Sequence, residues 1–166
     1  MSGSQTAGTL HSEQQLVDCD SKSNGCDGGL MEFAFEYLKS NSFCTESQYP
    51  YTGKDGSCQD PKCKGGPSNK DYTSIRSGDE NGLLQALASG PVSVAVDATD
   101  WPSYKGGVIS NCAQALNHGV TLVGYDGSGI VSIRNSWGPG WGEGGHIRLK
   151  TGNTCGYAID ASFPNF

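Results

Sequence analysis

The sequence predicts an α+β fold in which helices come first and strands follow. Two observations indicate this. Apolar residues near the start of the chain recur at the spacing of a helix face, whereas the second half contains short β-branched runs separated by glycines. Strands at such short intervals are typical of an antiparallel sheet or barrel, and the order differs from the alternation of β–α–β units.

Two helices are predicted in the first part of the chain. Ser12 lies three residues before Gln15, the spacing of a capping box, so a short helix is expected over residues 11–17. A glycine-rich turn at residues 25–29 precedes a second helix, over residues 30–39. Its apolar face contains Leu30, Phe33, Ala34, Tyr37 and Leu38.

Residues 41–69 contain many Gly, Pro, Ser, Asp and Cys residues and little periodicity. This composition predicts a surface loop region held by disulfides. Beyond it, a short helix containing Leu83, Leu84 and Leu87 should end near Gly90. Strands are predicted at residues 91–96, 120–125, 130–134 and 146–150, and the division between two lobes is expected near Tyr72.

Composition excludes several classes of function. The 166 residues include 17 Asp and Glu against 11 Lys and Arg, without a basic cluster, which argues against a nucleic-acid partner. No apolar run approaches the roughly 18 residues that span a bilayer, and no signal peptide opens the chain. The seven cysteines form no C-x-x-C pair, so no metal site is predicted. They instead predict a disulfide framework in an oxidising compartment. Seven is odd, so at least one thiol lacks a partner within the chain.

Three short segments, taken in order, carry a specific pattern. The first joins residues 12–19 (SEQQLVDC) to 25–29 (GCDGG), the second is residues 117–120 (NHGV), and the third is residues 135–143 (NSWGPGWGE). Together they resemble the papain family of cysteine proteases, on its cathepsin L side, and residues 49–51 and 155–164 fit the same pattern. The resemblance implies a papain-like two-lobe fold. Residues 1–72 would form an incomplete helical, disulfide-rich left lobe, and residues 73–166 an antiparallel β-barrel right lobe that carries the catalytic His and Asn.

The resemblance assigns catalytic roles to His118 and Asn135. In such enzymes an imidazole takes the proton of a cysteine thiol, and an Asn side-chain carbonyl holds the ring in the productive tautomer. Trp137 matches the family's indole that shields this hydrogen bond from water. Taken alone, His118 and Asn135 would be an ordinary surface His and a loop Asn. No cofactor is implied.

The family's nucleophile is not found in this sequence. It lies in a C-G-[SA]-C-[WY] motif roughly 130–150 residues before the His and Asn, and no such motif occurs here. We expect the nucleophile and the oxyanion-hole Gln to lie in a segment before Met1, so that the chain alone is inactive. One interpretation is that the chain is the C-terminal part of an endopeptidase. The alternative is a non-catalytic pseudoprotease or a peptide- or inhibitor-binding module.

Substrate-binding positions also follow from the resemblance. Gly28 and Gly29 match the segment that pairs with an extended peptide, although they equally suit a plain turn before a helix. The expected substrate-binding residues, most of them lining the S2 pocket, are Leu30, Met31, Ala34, Ala95, Leu116 and Asn117. Asp160 falls at the base of S2, so we hypothesise that Arg is accepted at P2 beside Leu or Phe. Core packing for Ala34 and an exposed strand end for Asp160 are the plainer alternatives.

The resemblance also implies disulfides between Cys19 and Cys58 and between Cys112 and Cys155. A third bridge is inferred between Cys44 and Cys63, which flank residues 49–51 and remain after the other pairs are assigned. Cys26 is then unpaired, since its family partner lies in the same segment as the nucleophile. A rival interpretation makes Cys26 a substitute nucleophile facing His118, but a thiol placed for a disulfide is not aligned with a substrate carbonyl.

The implied partners are peptide or protein substrates, with cystatin-type inhibitors as further candidates. The face around Phe33 and Tyr37 is expected to be exposed without the preceding segment. This predicts that segment or a second copy as a partner, or else a destabilised first lobe. The expected location is lysosomal, vacuolar or extracellular, and membrane insertion is not expected.

Overall fold

The structure, a computed structural model, describes residues 8–59, 63 and 66–166. The chain divides into two compact units. The first contains the described residues up to Tyr72 together with Pro164–Phe166, and the second is Thr73–Phe163. No helix in the described ranges has both the length and the apolar character needed to span a membrane.

The first unit contains two α-helices, α1 (Glu13–Cys19) and α2 (Met31–Ser40), and a short 3-10 turn at Gly25–Asp27. Both helices lie within about two residues of their predicted bounds. The described part of residues 41–69 contains no further helix or strand, and residues 60–62, 64 and 65 lie outside the described residues.

The start of α1 forms half of the predicted capping box. The Ser12 hydroxyl accepts the backbone N–H of Gln15 at 3.0 Å, as expected. The reciprocal bond is replaced by contacts with Cys44, because the Gln15 side-chain oxygen accepts the N–H of Cys44 at 2.8 Å and the Ser12 N–H donates to the Cys44 carbonyl at 3.0 Å. Gln15 therefore anchors the loop at Cys44 rather than its own helix end.

The first unit is held by disulfides and polar contacts more than by apolar burial. Its hydrophobic cluster consists of Cys44, Tyr49 and Cys63, with Cys19 packed against it. The bridges Cys19–Cys58 and Cys44–Cys63 are both present, as the sequence indicated. The first closes a loop of 39 residues and the second a loop of 19 residues. Each bridge stabilises the folded chain by about 3–4 kcal/mol, because it restricts the unfolded chain.

The expected exposure of Phe33 and Tyr37 is wrong. Both rings are half-buried, and the strongly exposed apolar side chain at this helix is Leu30, at 49%. One physical reason is visible at Tyr37, whose hydroxyl accepts a hydrogen bond from the side-chain amide of Gln15 at 3.2 Å. That bond ties the ring to α1.

The second unit contains α3 (Glu80–Leu87), capped by Asp79, whose carboxylate accepts the Gly82 N–H at 2.9 Å. The strands of the chain are β1 (Asp71–Ile75), β2 (Val92–Val96), β3 (Val108–Ile109), β4 (His118–Tyr125), β5 (Ile130–Arg134), β6 (His146–Lys150) and β7 (Ala161–Asn165). The first two residues of β1 and the last two of β7 belong to the first unit. They form one sheet in the order β1-β7-β2-β4-β5-β6-β3. Its core is a large apolar cluster that includes Leu83, Val94, Leu122, Ile133 and Leu149.

The sheet departs from the prediction at its margins. The strands β1, β3 and β7 were not predicted, and β4 begins two residues earlier than expected, at His118. The β3–β6 pair is parallel, so the expectation of a wholly antiparallel sheet is wrong there. In the interior of the sheet, β2–β4, β4–β5 and β5–β6 are antiparallel as predicted.

Candidate active site

The register of three neighbouring strands brings His118 and Asn135 together. His118 opens β4 opposite Val96, and Asn135 directly follows β5. His118 Nε2 lies 2.8 Å from Asn135 Oδ1. The same oxygen accepts the Ser136 N–H at 2.8 Å, which identifies it as the carbonyl oxygen. Nε2 is therefore the donor, and no hydrogen bond to Nδ1 is found within the described residues.

Asn135 is fixed in the interior of the second unit. It is 7% exposed, and its backbone N–H donates to the Gly145 carbonyl at 2.9 Å. A buried amide held from both the backbone and the side chain has little freedom to rotate. The arrangement thus selects one tautomer and one orientation of the imidazole.

An aromatic cluster surrounds this pair. Trp137 stacks on the His118 ring at a centroid distance of 5.2 Å, and Trp101 presents its edge to it at 6.4 Å. Trp141 stacks on Trp101 at 6.0 Å, meets Trp137 edge-on at 5.2 Å, and donates its indole N–H to the Trp101 carbonyl at 3.0 Å. Sequence reasoning assigned no role to Trp101 or Trp141. The available signal was that the chain has three tryptophans, which all belong to this cluster.

The glycine-rich loop that carries Trp141 is braced by an ion pair. Glu143 binds Arg148 through two hydrogen bonds of 2.7 Å and accepts the Gly107 N–H at 2.9 Å. The bonds from Arg148, with that from Gly107, lower the pKa of Glu143 to about 2. Glu143 therefore stays ionised throughout the ordinary pH range.

Four of the predicted substrate-binding residues lie consecutively at the start of α2, in the first unit. Gly28 has φ +109°, and a Cβ at Gly29 would collide with the Ser23 side chain, so both positions require glycine for the fold itself. Leu30 is the N-cap of α2, and Met31 begins the helix. Ala34 is half-buried one turn later.

The remaining predicted substrate-binding residues lie in the second unit. The Ala95 N–H donates to the Asp160 carbonyl at 2.9 Å, so these two are adjacent, and both are half-buried. Leu116 is half-buried beside Gly156, where an added Cβ would meet its side chain at 2.8 Å. Asn117 is exposed and directly precedes His118.

All seven cysteines lie in the described part of the chain. Cys112 and Cys155 form the remaining predicted disulfide, and Cys26 is the one cysteine outside a bridge. The Cys26 thiol is exposed, yet local desolvation and the neighbouring carboxylates of Asp55, Asp27 and Asp18 raise its pKa. Such surroundings disfavour the thiolate, which is the nucleophilic form. Within the described ranges no three metal-binding side chains cluster.

Comparison with known proteins gives one consistent result. The family described as papain family cysteine protease matches residues 3–165. Cathepsin L 2 of Paramecium tetraurelia is 49% identical over 155 residues, which cover 92% of this chain and 49% of that protein. Vignain of Vigna mungo is 47% identical over 168 residues, covering 92% of this chain and 46% of that protein. The chain thus spans about half the length of the curated relatives it matches.

A solved structure shows the same likeness. The Carica candamarcensis cysteine protease CMS1MS2, solved in complex with E-64, superposes with a TM-score of 0.88 at 36% sequence identity. The match covers 95% of this chain and 78% of that one.

Proposed function

The chain belongs to the papain family of cysteine proteases and has its fold, and we propose that it is the C-terminal part of a cathepsin L-like endopeptidase. The observation that carries the proposal is the 2.8 Å bond from His118 Nε2 to Asn135 Oδ1. It leaves Nδ1 as the ring nitrogen available to a thiol. That is the division of labour a Cys–His–Asn mechanism requires.

In this mechanism His118 takes the thiol proton at Nδ1, and the thiolate attacks the carbonyl carbon of the scissile peptide bond. The imidazolium then gives that proton to the departing amine, leaving an acyl-enzyme thioester. Water, deprotonated by His118, hydrolyses the thioester and restores the thiol. Asn135 holds the ring through both transfers, and Trp137 covers its outer face.

The nucleophile in this proposal comes from a segment outside the present sequence. Six cysteines are in disulfides, and the raised pKa of the Cys26 thiol makes it a poor substitute. The isolated chain is then inactive. The same observations also favour the second candidate, a non-catalytic paralogue that retains peptide or inhibitor binding.

One experiment separates the two candidates. The part of the Paramecium cathepsin L 2 protease domain that precedes its match to this chain is fused in front of residue 8, giving a chimera. The purified chain and the chimera are each treated with E-64 and assayed on a Phe-Arg amide. The endopeptidase proposal expects labelling and turnover by the chimera and neither by the chain.

The control is the same chimera carrying His118→Ala, which should fold but not turn over. A folded chimera that neither reacts with E-64 nor hydrolyses the amide would favour the non-catalytic paralogue. Labelling of the isolated chain at Cys26 would show that its nucleophile lies within this sequence, and it would contradict the proposal that the isolated chain is inactive.

For the complete enzyme we propose peptide or protein substrates with Leu, Phe or Arg at P2, and cystatin-type proteins as inhibitors. The acceptance of Arg is proposed on Asp160, a half-buried residue whose backbone carbonyl contacts Ala95, because a carboxylate attracts a guanidinium. Three disulfides support a lysosomal, vacuolar or extracellular location.

A further inference from the structure

We propose that Asp97 is a positioning residue for His118, because its buried carboxylate ties together the backbone segments that lead to His118 and to Trp101. The inference builds on the proposed catalytic role of His118. Asp97 directly follows β2 and is 2% exposed.

The Asp97 carboxylate is surrounded by donors. Oδ1 accepts the Thr99 hydroxyl at 2.6 Å and the Thr99 N–H at 3.1 Å, and the Asn117 amide nitrogen lies 3.5 Å away. Oδ2 accepts the Ala115 N–H at 2.9 Å. The bonds from Thr99 keep the pKa of Asp97 below its ordinary value, although burial acts in the opposite direction. An ionised carboxylate, which only accepts, suits this site.

These bonds act on the residues just before the imidazole. Ala115 and Asn117 lead into His118, and the Asn117 N–H donates to the Val96 carbonyl at 2.9 Å. The Asn117 side-chain oxygen accepts the Ala98 N–H at 2.9 Å. Val96 is in turn the register partner of His118. The start of β4 is therefore locked to the end of β2 from both sides.

The same turn also positions the indole that touches the imidazole. The Ala98 carbonyl accepts the Trp101 N–H at 3.0 Å, and Trp101 meets the His118 ring edge-on. The Asp97 carboxylate thus holds both the backbone that leads to His118 and the turn that leads to Trp101.

The Asp97→Asn substitution removes one acceptor while preserving shape. If the amide oxygen keeps the two bonds from Thr99, its NH₂ group must face the Ala115 N–H, and the anchor of residues 115–117 is lost. Asp126→Asn is the matched control. Asp126 accepts the N–H and hydroxyl of Ser128 at 2.7 and 2.6 Å, but it lies in the turn between β4 and β5.

The test records the ¹⁵N shifts of the His118 imidazole in the purified chain at pH 8. The unsubstituted chain and Asp126→Asn should show one tautomer, protonated at Nε2, whereas Asp97→Asn should show averaged shifts of two tautomers. In the chimera, Asp97→Asn should lower kcat about 10–100-fold and change KM less than about twofold.

An unchanged tautomer in folded Asp97→Asn would overturn the proposal. If circular dichroism shows that this variant does not fold, Thr99→Val takes its place. This substitution removes the hydroxyl that donates to Asp97 at 2.6 Å and accepts the Asn117 side-chain amide at 3.1 Å. An unchanged tautomer there is equally decisive. An inactive unsubstituted chimera would count against the endopeptidase proposal, while the tautomer measurement would still decide the role of Asp97.

Discussion

The indole of Trp137 lies over the imidazole of His118, with 28° between the two ring planes. Trp137 is 40% exposed, so one face meets solvent while the other covers the ring. We expect this cover to keep water away from the bond between His118 and Asn135 on that side, where a lower local dielectric would strengthen it.

Replacing Trp137 by Ala should therefore weaken this bond without removing it. The lost ring pair contributes about 0.5–1.5 kcal/mol, so we expect kcat of the chimera to fall by up to about tenfold. Trp137→Phe, which keeps a ring over the imidazole, is the control and should lose less. Equal losses in the two variants would argue against a shielding role.

The Asn135→Ala substitution should cost more, because it removes the acceptor that fixes the imidazole. We expect kcat of the chimera to fall about 100-fold with little change in KM. Asn135→Asp retains an acceptor oxygen and should recover part of the rate. A chimera whose kcat is unaffected by Asn135→Ala would show that the ring is oriented by other contacts.

Asp160 should set the preference at P2. Asp160→Ala in the chimera is expected to reduce kcat/KM for a substrate with Arg at P2 and to leave the Leu substrate within about twofold, because only the cation uses the carboxylate. Asp126→Ala, at an exposed carboxylate between β4 and β5, is the control. An Arg-to-Leu ratio that does not move after Asp160→Ala would contradict this assignment.

The Cys26 thiol should react slowly with iodoacetamide. Its pKa is raised, so less thiolate is present at neutral pH than for an ordinary cysteine, and the rate should still be rising above pH 9. Asp55→Asn removes the carboxylate that accepts the Cys26 backbone N–H at 2.7 Å, and it should speed alkylation at pH 7.5. Fast, pH-independent alkylation of the unsubstituted chain, followed by mass spectrometry, would reveal an activated thiol instead.

The ion pair of Glu143 and Arg148 should make a pH-dependent contribution to stability. The folded-state pKa of Glu143, about 2, lies below its ordinary value of 4.5. The contribution is therefore complete above pH 4.5 and is lost as the pH falls towards 2. Glu143→Gln should lower Tm by about 2–4 °C at pH 6.

The two melting curves should converge near pH 2, where the carboxylate of the unsubstituted chain becomes protonated. Arg148→Gln should reproduce the same pattern, because it removes the other half of the pair. A Tm difference that stays constant from pH 6 to pH 2 would mean that Glu143 acts through packing rather than charge.

Local patterns predicted the elements that are defined by their own residues. The helix α2 has its apolar positions at helical spacing. The strands β5 and β6 match their predicted residues, and β2 begins one residue later than predicted. The strands β1, β3 and β7 were not predicted, because their own sequences do not specify a strand. The strand β3 contains two residues and exists only by pairing with β6, and β7 contains Pro164, which cannot donate to a ladder.

The candidate site shows the same limit. His118 and Asn135 lie within short motifs, so their sequence context identified them. Trp101 has no such context, and its contact with His118 depends on the turn after β2. The second half of the capping box was not predicted correctly for a related reason. The Gln15 side-chain oxygen accepts the N–H of Cys44, which is distant in sequence, instead of a backbone N–H at its own helix end.

The concentration of all three tryptophans around one imidazole gives the molecule an intrinsic optical reporter. Selective indole excitation therefore samples this cluster and no other region of the chain. The fluorescence of the unlabelled protein thus reports on the surroundings of His118 without any introduced dye.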